Sequence, residues 1–258
     1  MARKPTLSPS RISTYLACPV KYRWTYVDSR GHWYARAKSY YSFGLTLHRV
    51  LEAFHTSGDR GVPTAHEAIA AMEENWMDAG YSSPDEMADA IGEGKQILER
   101  YAEQHKVPTA AKTLCVEKTF KLDFDDFRLL GRVDRVDEHP DGSLEIVDYK
   151  SGRQTVTEED VASDLAMGCY QLLVRHKHPD RRVFATIHAL RTGDKASAEL
   201  DGAALAELRG DLQFIGTEIL NRDYPNVAPI PKRLCSGCDF LPLCRKHPDF
   251  DAGLVEDA

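Results

Sequence analysis

Between residues 112 and 150 the chain lays down three strand-like runs in close succession, and any fold must build around the meander they make. Lys112 to Leu122 and Phe127 to Val136 alternate apolar and polar residues on either side of the turn Asp123-Phe124-Asp125-Asp126. Leu144 to Lys150 follows the turn signal Pro140-Asp141-Gly142 and is closed by Ser151-Gly152. Alternation with period two turns one side of each strand to a core. The segments around the meander are helical instead. Upstream, a first helix over Arg11 to Ala17 has Ser8 or Ser10 as cap and Cys18-Pro19 as its end. Gly44 to His55, Ala65 to Asp78 and residues 85–106 give three more, with no strand pattern among them. Downstream come a helix over Glu158 to His176, a strand over Arg182 to Leu190 and a last long helix over Ala203 to Leu220. The order indicates an α/β fold with a helical N-terminal part. A single domain is expected: residues 1–111 helical, 112–222 the α/β core, and 223–258 a cysteine-rich end and tail.

Charge narrows the partners. The net charge is −7, yet residues 1–49 hold nine Lys or Arg against one acid, Asp28, so that segment is +8 and the remainder −15. The same segment carries nine aromatics, among them Tyr22, Trp24, Trp33, Tyr40 and Tyr41. Cations attract phosphates and rings stack on unpaired bases, so Lys21, Arg23 and Trp24 are candidates for single-stranded nucleic acid. A solvated basic face with its aromatics in the core is the alternative. No run of about 18 apolar residues offers a membrane span. The start, MARKPTLSPSRIS, has no apolar stretch of the kind an export signal needs, so a cytoplasmic protein without a membrane partner is expected.

Two successive strands end in acids: Gly131-Arg132-Val133-Asp134, then Ile146-Val147-Asp148-Tyr149-Lys150. Residues two apart in a strand share a face, so Asp148 and Lys150 point the same way, towards whatever Asp134 presents. Paired carboxylates repel unless a divalent cation sits between them, and Mg²⁺ or Mn²⁺ prefers such oxygen ligands. A metal there polarises a phosphodiester, and the lysine orients water or stabilises the charge gathering on phosphate. Glu117, in the preceding strand, can add another acid.

The stretches LSPSRISTYLACPVKYRW, GLTLHRVLE, GRVDRVD and IVDYKSG, in that order, resemble the RecB-like branch of the PD-(D/E)XK nucleases, notably CRISPR-associated and phage exonucleases and AddB-type helicase–nucleases. The resemblance runs from about residue 7 to 246. It implies a restriction-endonuclease-like mixed sheet flanked by helices. It also implies that His48, Asp134, Asp148 and the Tyr149 carbonyl hold the metal, that Lys150 is the catalytic lysine, and that Tyr170 stands on the helix after it. Where the family often has Gln-x-x-x-Tyr, this chain has Ala166 before Tyr170; Gln171 lies one residue further on, about 100° away round a helix.

Cys235, Cys238 and Cys244 cluster in CSGCDFLPLC, one ligand short of a tetrahedral metal or a cubane, and Cys18 is the natural fourth. The RecB-like iron–sulfur nucleases show this one-plus-three arrangement, which implies a structural [4Fe–4S] cluster tying the basic segment to the core. Zinc on the same ligands and unliganded thiols remain alternatives. Cys115 and Cys169 stand apart and read as small buried hydrophobes.

The functional expectation is a metal-dependent DNA exonuclease favouring single-stranded ends, in repair and recombination or in CRISPR spacer processing. A nucleic-acid-binding iron–sulfur protein with weak or no nuclease activity, serving a larger complex, is the alternative, and RNA as substrate stays open. No Gly-x-x-x-x-Gly-Lys-Ser/Thr loop is present, so a helicase motor, or a CRISPR integrase, would be a separate partner.

Overall fold

The expected meander forms the spine of a six-stranded mixed sheet in the computed structural model, which describes residues 4–56, 63–107, 109–152 and 155–251. The chain opens with a two-residue strand, β1 (Thr6–Leu7), then α1 (Pro9–Ala17) and α2 (Pro19–Tyr22). A π-helical turn (Arg23–Val27) and a 3₁₀ turn (Ser29–Trp33) lead to α3 (Ser39–Thr56), α4 (Ala65–Glu74) and α5 (Pro84–Gln104). The meander is β2 (Lys112–Asp123), β3 (Arg128–Glu138) and β4 (Leu144–Lys150). Then come α6 (Glu158–Ser163), α7 (Leu165–Lys177), β5 (Val183–Ala189), β6 (Lys195–Ala198), α8 (Gly202–Asn221) and α9 (Leu241–Cys244).

β2 and β4 run antiparallel to β3 on its two edges, β5 lies parallel to β4, and β6 closes the far edge antiparallel to β5. β1 lies parallel to the first residues of β3, on the edge that β4 reaches only at the other end. Side chains of β4 alternate between two cores. Leu144 and Ile146 join Ile12, Met167, Leu173 and Leu212 from α1, α7 and α8, whereas Val147 and Tyr149 join Leu47, Leu51, Met72 and Ile97 from α3, α4 and α5. Burying each such side chain contributes about 1.5–3 kcal/mol, so a sheet covered on both faces is what this pattern favours. Helix α8 approaches the β2–β3 turn closely: a methyl group on Gly216 would run into the Phe127 ring.

Three local expectations are corrected. The N-terminal part does hold a strand, β1, too short for any alternation to register. The helix expected over Glu158 to His176 is two helices, because Asp164 is extended (φ −73°, ψ 119°) and its carboxylate accepts from the amides of Ala166 (2.8 Å) and Met167 (3.0 Å). The third helix stops at Glu74 rather than Asp78, where Asn75 caps it. Arg3 of the basic segment and residues 252–258 of the tail lie outside the described residues. No described helix is long and apolar enough to cross a membrane.

The first forty residues are sewn to the C-terminal stretch. Tyr22 stacks on Tyr224 with ring centres 5.5 Å apart, and Lys232 donates its ammonium to the Ala17 carbonyl (2.9 Å). Asp239 receives both the Lys38 ammonium (2.8 Å) and the Arg36 amide (3.1 Å).

Candidate active site

The site arises where two strands part. Pairing between β3 and β4 runs from Glu138 opposite Leu144 to Arg135 opposite Val147 and stops there. The next pair in that register would be Asp134 and Asp148. β4 continues beside β5 as far as Lys150, so a gap opens with one carboxylate on each lip. The Tyr149 amide, left without a partner across β3, donates to Asp134 Oδ2 (2.8 Å). Both acids are buried, at 8% and 5% exposure. Burial, aided by the Asp134 charge and opposed by Lys150, pushes the Asp148 carboxyl up to about 6.

Two further elements close on the gap. His48 on α3 donates from Nε2 to the Tyr149 carbonyl (2.9 Å), and its Nδ1 lies 3.4 Å from Asp134 Oδ2 and 3.8 Å from Glu117 Oε1. Burial disfavours a charge on this ring, but the carboxylates outweigh it and raise its pKa to about 10. An imidazolium therefore occupies the place of a cation among the acids. Among the described residues, His48, Glu117 and Asp134 offer three ligand atoms within 4.8 Å of one another. Carboxylate oxygens and an imidazole nitrogen that already demand a positive charge fit a divalent ion, which would displace the His48 proton on binding. Glu117 reaches the cluster from a β2 whose register slips between Thr113 and Cys115. It is the one described non-glycine residue in the left-handed region, with φ 49°. Such a conformation costs about 1–3 kcal/mol and is retained where a site needs it.

Lys150 lies 2.7 Å from Asp148 Oδ2. Burial would lower its pKa, but Asp148 beside it prevails and raises it, so the side chain is an ammonium rather than a base. A cavity of about 440 Å³ opens at Lys150, lined also by Ser10, Arg132, Ala166 and Tyr170. Tyr170 thus stands by the lysine, and Ala166, with no polar group, leaves space there. Gln171 does not take its place. It is buried, and its Oε1 accepts from the Leu200 amide (2.9 Å), a bond that ties α7 to the residues after β6. Arg132, which was not among the candidates, puts Nε 2.5 Å from Glu117 Oε2 and faces the same cavity. Its position two residues before Asp134 on one strand is a signal that was available.

The cysteines gather elsewhere, where the two ends of the chain meet. Cys18 caps α2, its sulfur accepting from the Lys21 amide (3.4 Å), and Cys235 accepts in the same way from the Lys232 amide (3.4 Å). Burial and the nearby sulfurs of Cys238, Cys18 and Cys235 push the Cys244 thiol up to about 12, so all four belong to one neighbourhood. Cys115 is partly buried on β2 and Cys169 fully buried on α7, both against the first core. Of the expected DNA contacts, Arg23 is engaged within the chain: its guanidinium donates to the carbonyls of Tyr224 (3.0 Å) and Pro225 (3.2 Å) and lies over the Trp24 ring. Lys21 and Trp24 are half-buried.

Residues 6–245 match the family model of the PD-(D/E)XK nuclease superfamily. A 118-residue stretch, 44% of the chain, is 36% identical to one component of an ATP-dependent helicase/deoxyribonuclease from Streptococcus uberis, and spans 11% of that relative's length. A proposed exonuclease of known structure from Eubacterium rectale aligns over 82% of this chain and 92% of its own at 13% identity. Its TM-score of 0.38 is too loose a likeness to define the fold.

Proposed function

The chain belongs to the PD-(D/E)XK nuclease superfamily, and from that membership we propose a metal-dependent DNA exonuclease that prefers single-stranded ends. The observation that carries this reading is the gap between β3 and β4, where His48, Glu117 and Asp134 converge and Asp148 stands on the other lip beside a protonated Lys150. His48, Asp134, Asp148 and the Tyr149 carbonyl would hold Mg²⁺ or Mn²⁺, with Glu117 as a further acid. The ion supplies positive charge against the phosphate and makes a neighbouring water acidic. Lys150 donates to the phosphate oxygen on which negative charge gathers, an interaction strongest in the transition state. Asp148 holds that ammonium in place. Tyr170 and Arg132 wall the cavity in which the phosphate would lie. The +8 N-terminal segment supports a polyanionic substrate in a chain that is acidic elsewhere.

Cys18, Cys235, Cys238 and Cys244 would hold the [4Fe–4S] cluster. Four thiols with backbone amides directed at two of them suit such a group. The name of the Streptococcus relative supports a helicase as partner.

The test is digestion of end-labelled single-stranded and duplex DNA with and without Mg²⁺. Shortening of the single strand that needs the metal and disappears in Asp148→Asn is expected. Activity that survives that substitution would show that the site lies elsewhere.

A further inference from the structure

A second cavity adjoins the lysine, and the nuclease chemistry leaves it unused. About 590 Å³ in volume, it opens between the start of α3, the middle of α5 and the loop after β4, and Ser151 and Gly152, the residues following Lys150, form part of its lining. Its aromatic surfaces are Tyr40, Phe43 and Tyr81. Tyr40 is 59% exposed, although it lies on a helix whose neighbouring residue Phe43 is buried in the second core. Tyr81 stacks on Trp76 with ring centres 5.8 Å apart, which holds its ring at the cavity.

The polar groups define the class of ligand. Arg191 is the cavity's cation and it is committed: it pairs with Glu93, donates to the Ser151 carbonyl (2.6 Å) and lies over the Phe43 ring. These bonds brace the loop after Lys150, and the Glu93 carboxylate offsets the charge of the guanidinium. Asp89, exposed on α5, adds a carboxylate at the lining. Rings for stacking and a carboxylate acceptor match a planar group bearing N–H donors, and the carboxylate repels a phosphate. A base in a duplex is stacked and paired, whereas an unpaired strand presents its bases freely.

We propose that this cavity takes one unpaired nucleobase of the strand being cut, beside the scissile phosphate. It is then the feature that makes the enzyme read single strands, an inference that rests on the nuclease reading for the identity of the strand.

The experiment has two arms. In the first, single-stranded oligonucleotides with one abasic nucleotide, moved stepwise along the strand, are cleaved by the wild type and Tyr40→Ala. At one register the abasic nucleotide raises the wild-type KM about tenfold, in line with the loss of one base–aromatic stack, and leaves kcat unchanged. In Tyr40→Ala that penalty vanishes. A wild type indifferent to abasic position, or an equal penalty in Tyr40→Ala, overturns the pocket while leaving the nuclease assignment intact. In the second arm, a strand carrying 2-aminopurine is bound in EDTA, where no cleavage is needed. Quenching at one register that is lost in Tyr40→Ala supports the pocket even if the wild type cuts nothing, and equal quenching in both overturns it. Tyr40 is exposed, so an unchanged melting temperature separates these effects from misfolding.

Discussion

At the scale of single residues, the site is a set of charges that keep one another in place. Asp134 accepts the Tyr149 amide, the Tyr149 carbonyl accepts from His48, and His48 faces Glu117 and Asp134. Lys150 and Glu117 should fail in different ways. Lys150→Ala removes a donor whose value lies in the transition state, so kcat should fall about 10²–10³-fold with metal binding retained. Glu117→Gln removes a negative charge from the cation cluster, so the metal concentration needed for half-maximal activity should rise more than kcat falls. Metal titrations of activity for both variants check this. A Lys150→Ala protein cutting at the wild-type rate would remove the lysine from the mechanism. Glu117 itself was legible as an acid near the site. Its left-handed backbone was not, because nothing local in CVEKTF asks for φ 49°.

At the scale of elements, Arg23 shows how a basic residue can serve the fold. Its guanidinium holds the π-helical turn to the Tyr224–Pro225 backbone, and the Tyr22–Tyr224 stack lies alongside. Arg23→Ala should therefore lower stability by about 1.5–3 kcal/mol, the range for hydrogen bonds to a charged group. The salt dependence of DNA binding should stay the same, whereas a phosphate contact by Lys21 would flatten it by about 0.7 in log–log slope on single strands. Denaturant melts and salt titrations of Arg23→Ala and Lys21→Ala distinguish the roles; a flattened slope in Arg23→Ala would return that residue to the DNA interface. The long helices and four of the six strands were legible from periodicity. The break at Asp164 was hidden, because Val161, Leu165, Cys169 and Leu172 keep helical spacing across it.

At the scale of the whole molecule, the two ends of the chain depend on one another. Protein purified without oxygen should be brown and carry about four iron and four sulfide per chain. Cys18→Ala should lower the melting temperature more than a surface substitution does, since ligand energy at a structural site is folding energy. One zinc and no iron would replace the cluster and keep the ligands. A second global property is acid lability. His55 and His188 are held neutral by burial, with the nearby charges of Arg135 and Lys195 adding to the effect, and their pKa values are lowered to about 2 and about 3. Unfolded, each titrates near 6.5. Below that pH the unfolded chain takes up protons the folded chain refuses, so stability is full above 6.5 and falls down to the folded values. Each histidine contributes about 1.4 kcal/mol per pH unit in that window. Melting temperatures between pH 7 and 5 should drop accordingly, and less steeply in His188→Phe, which keeps the ring stacked on Tyr101. Equal slopes in both proteins would show that His188 is not held neutral.

Sequence by itself determined the α/β class, the meander, the D-x-K strand end and the one-plus-three cysteine spacing. All of these are local patterns or fixed spacings along one chain. His48 became a candidate only through resemblance, since a lone histidine on a helix carries no local sign of its partners. Tertiary structure alone decided that β3 and β4 part at Asp134 and Asp148, that Arg132 joins Glu117, and that Arg23 is spent on a carbonyl two hundred residues away. It also decided that Tyr40 and Tyr81 line a cavity next to Lys150. These are contacts between segments distant in sequence, and their geometry depends on how two cores pack against opposite faces of one sheet.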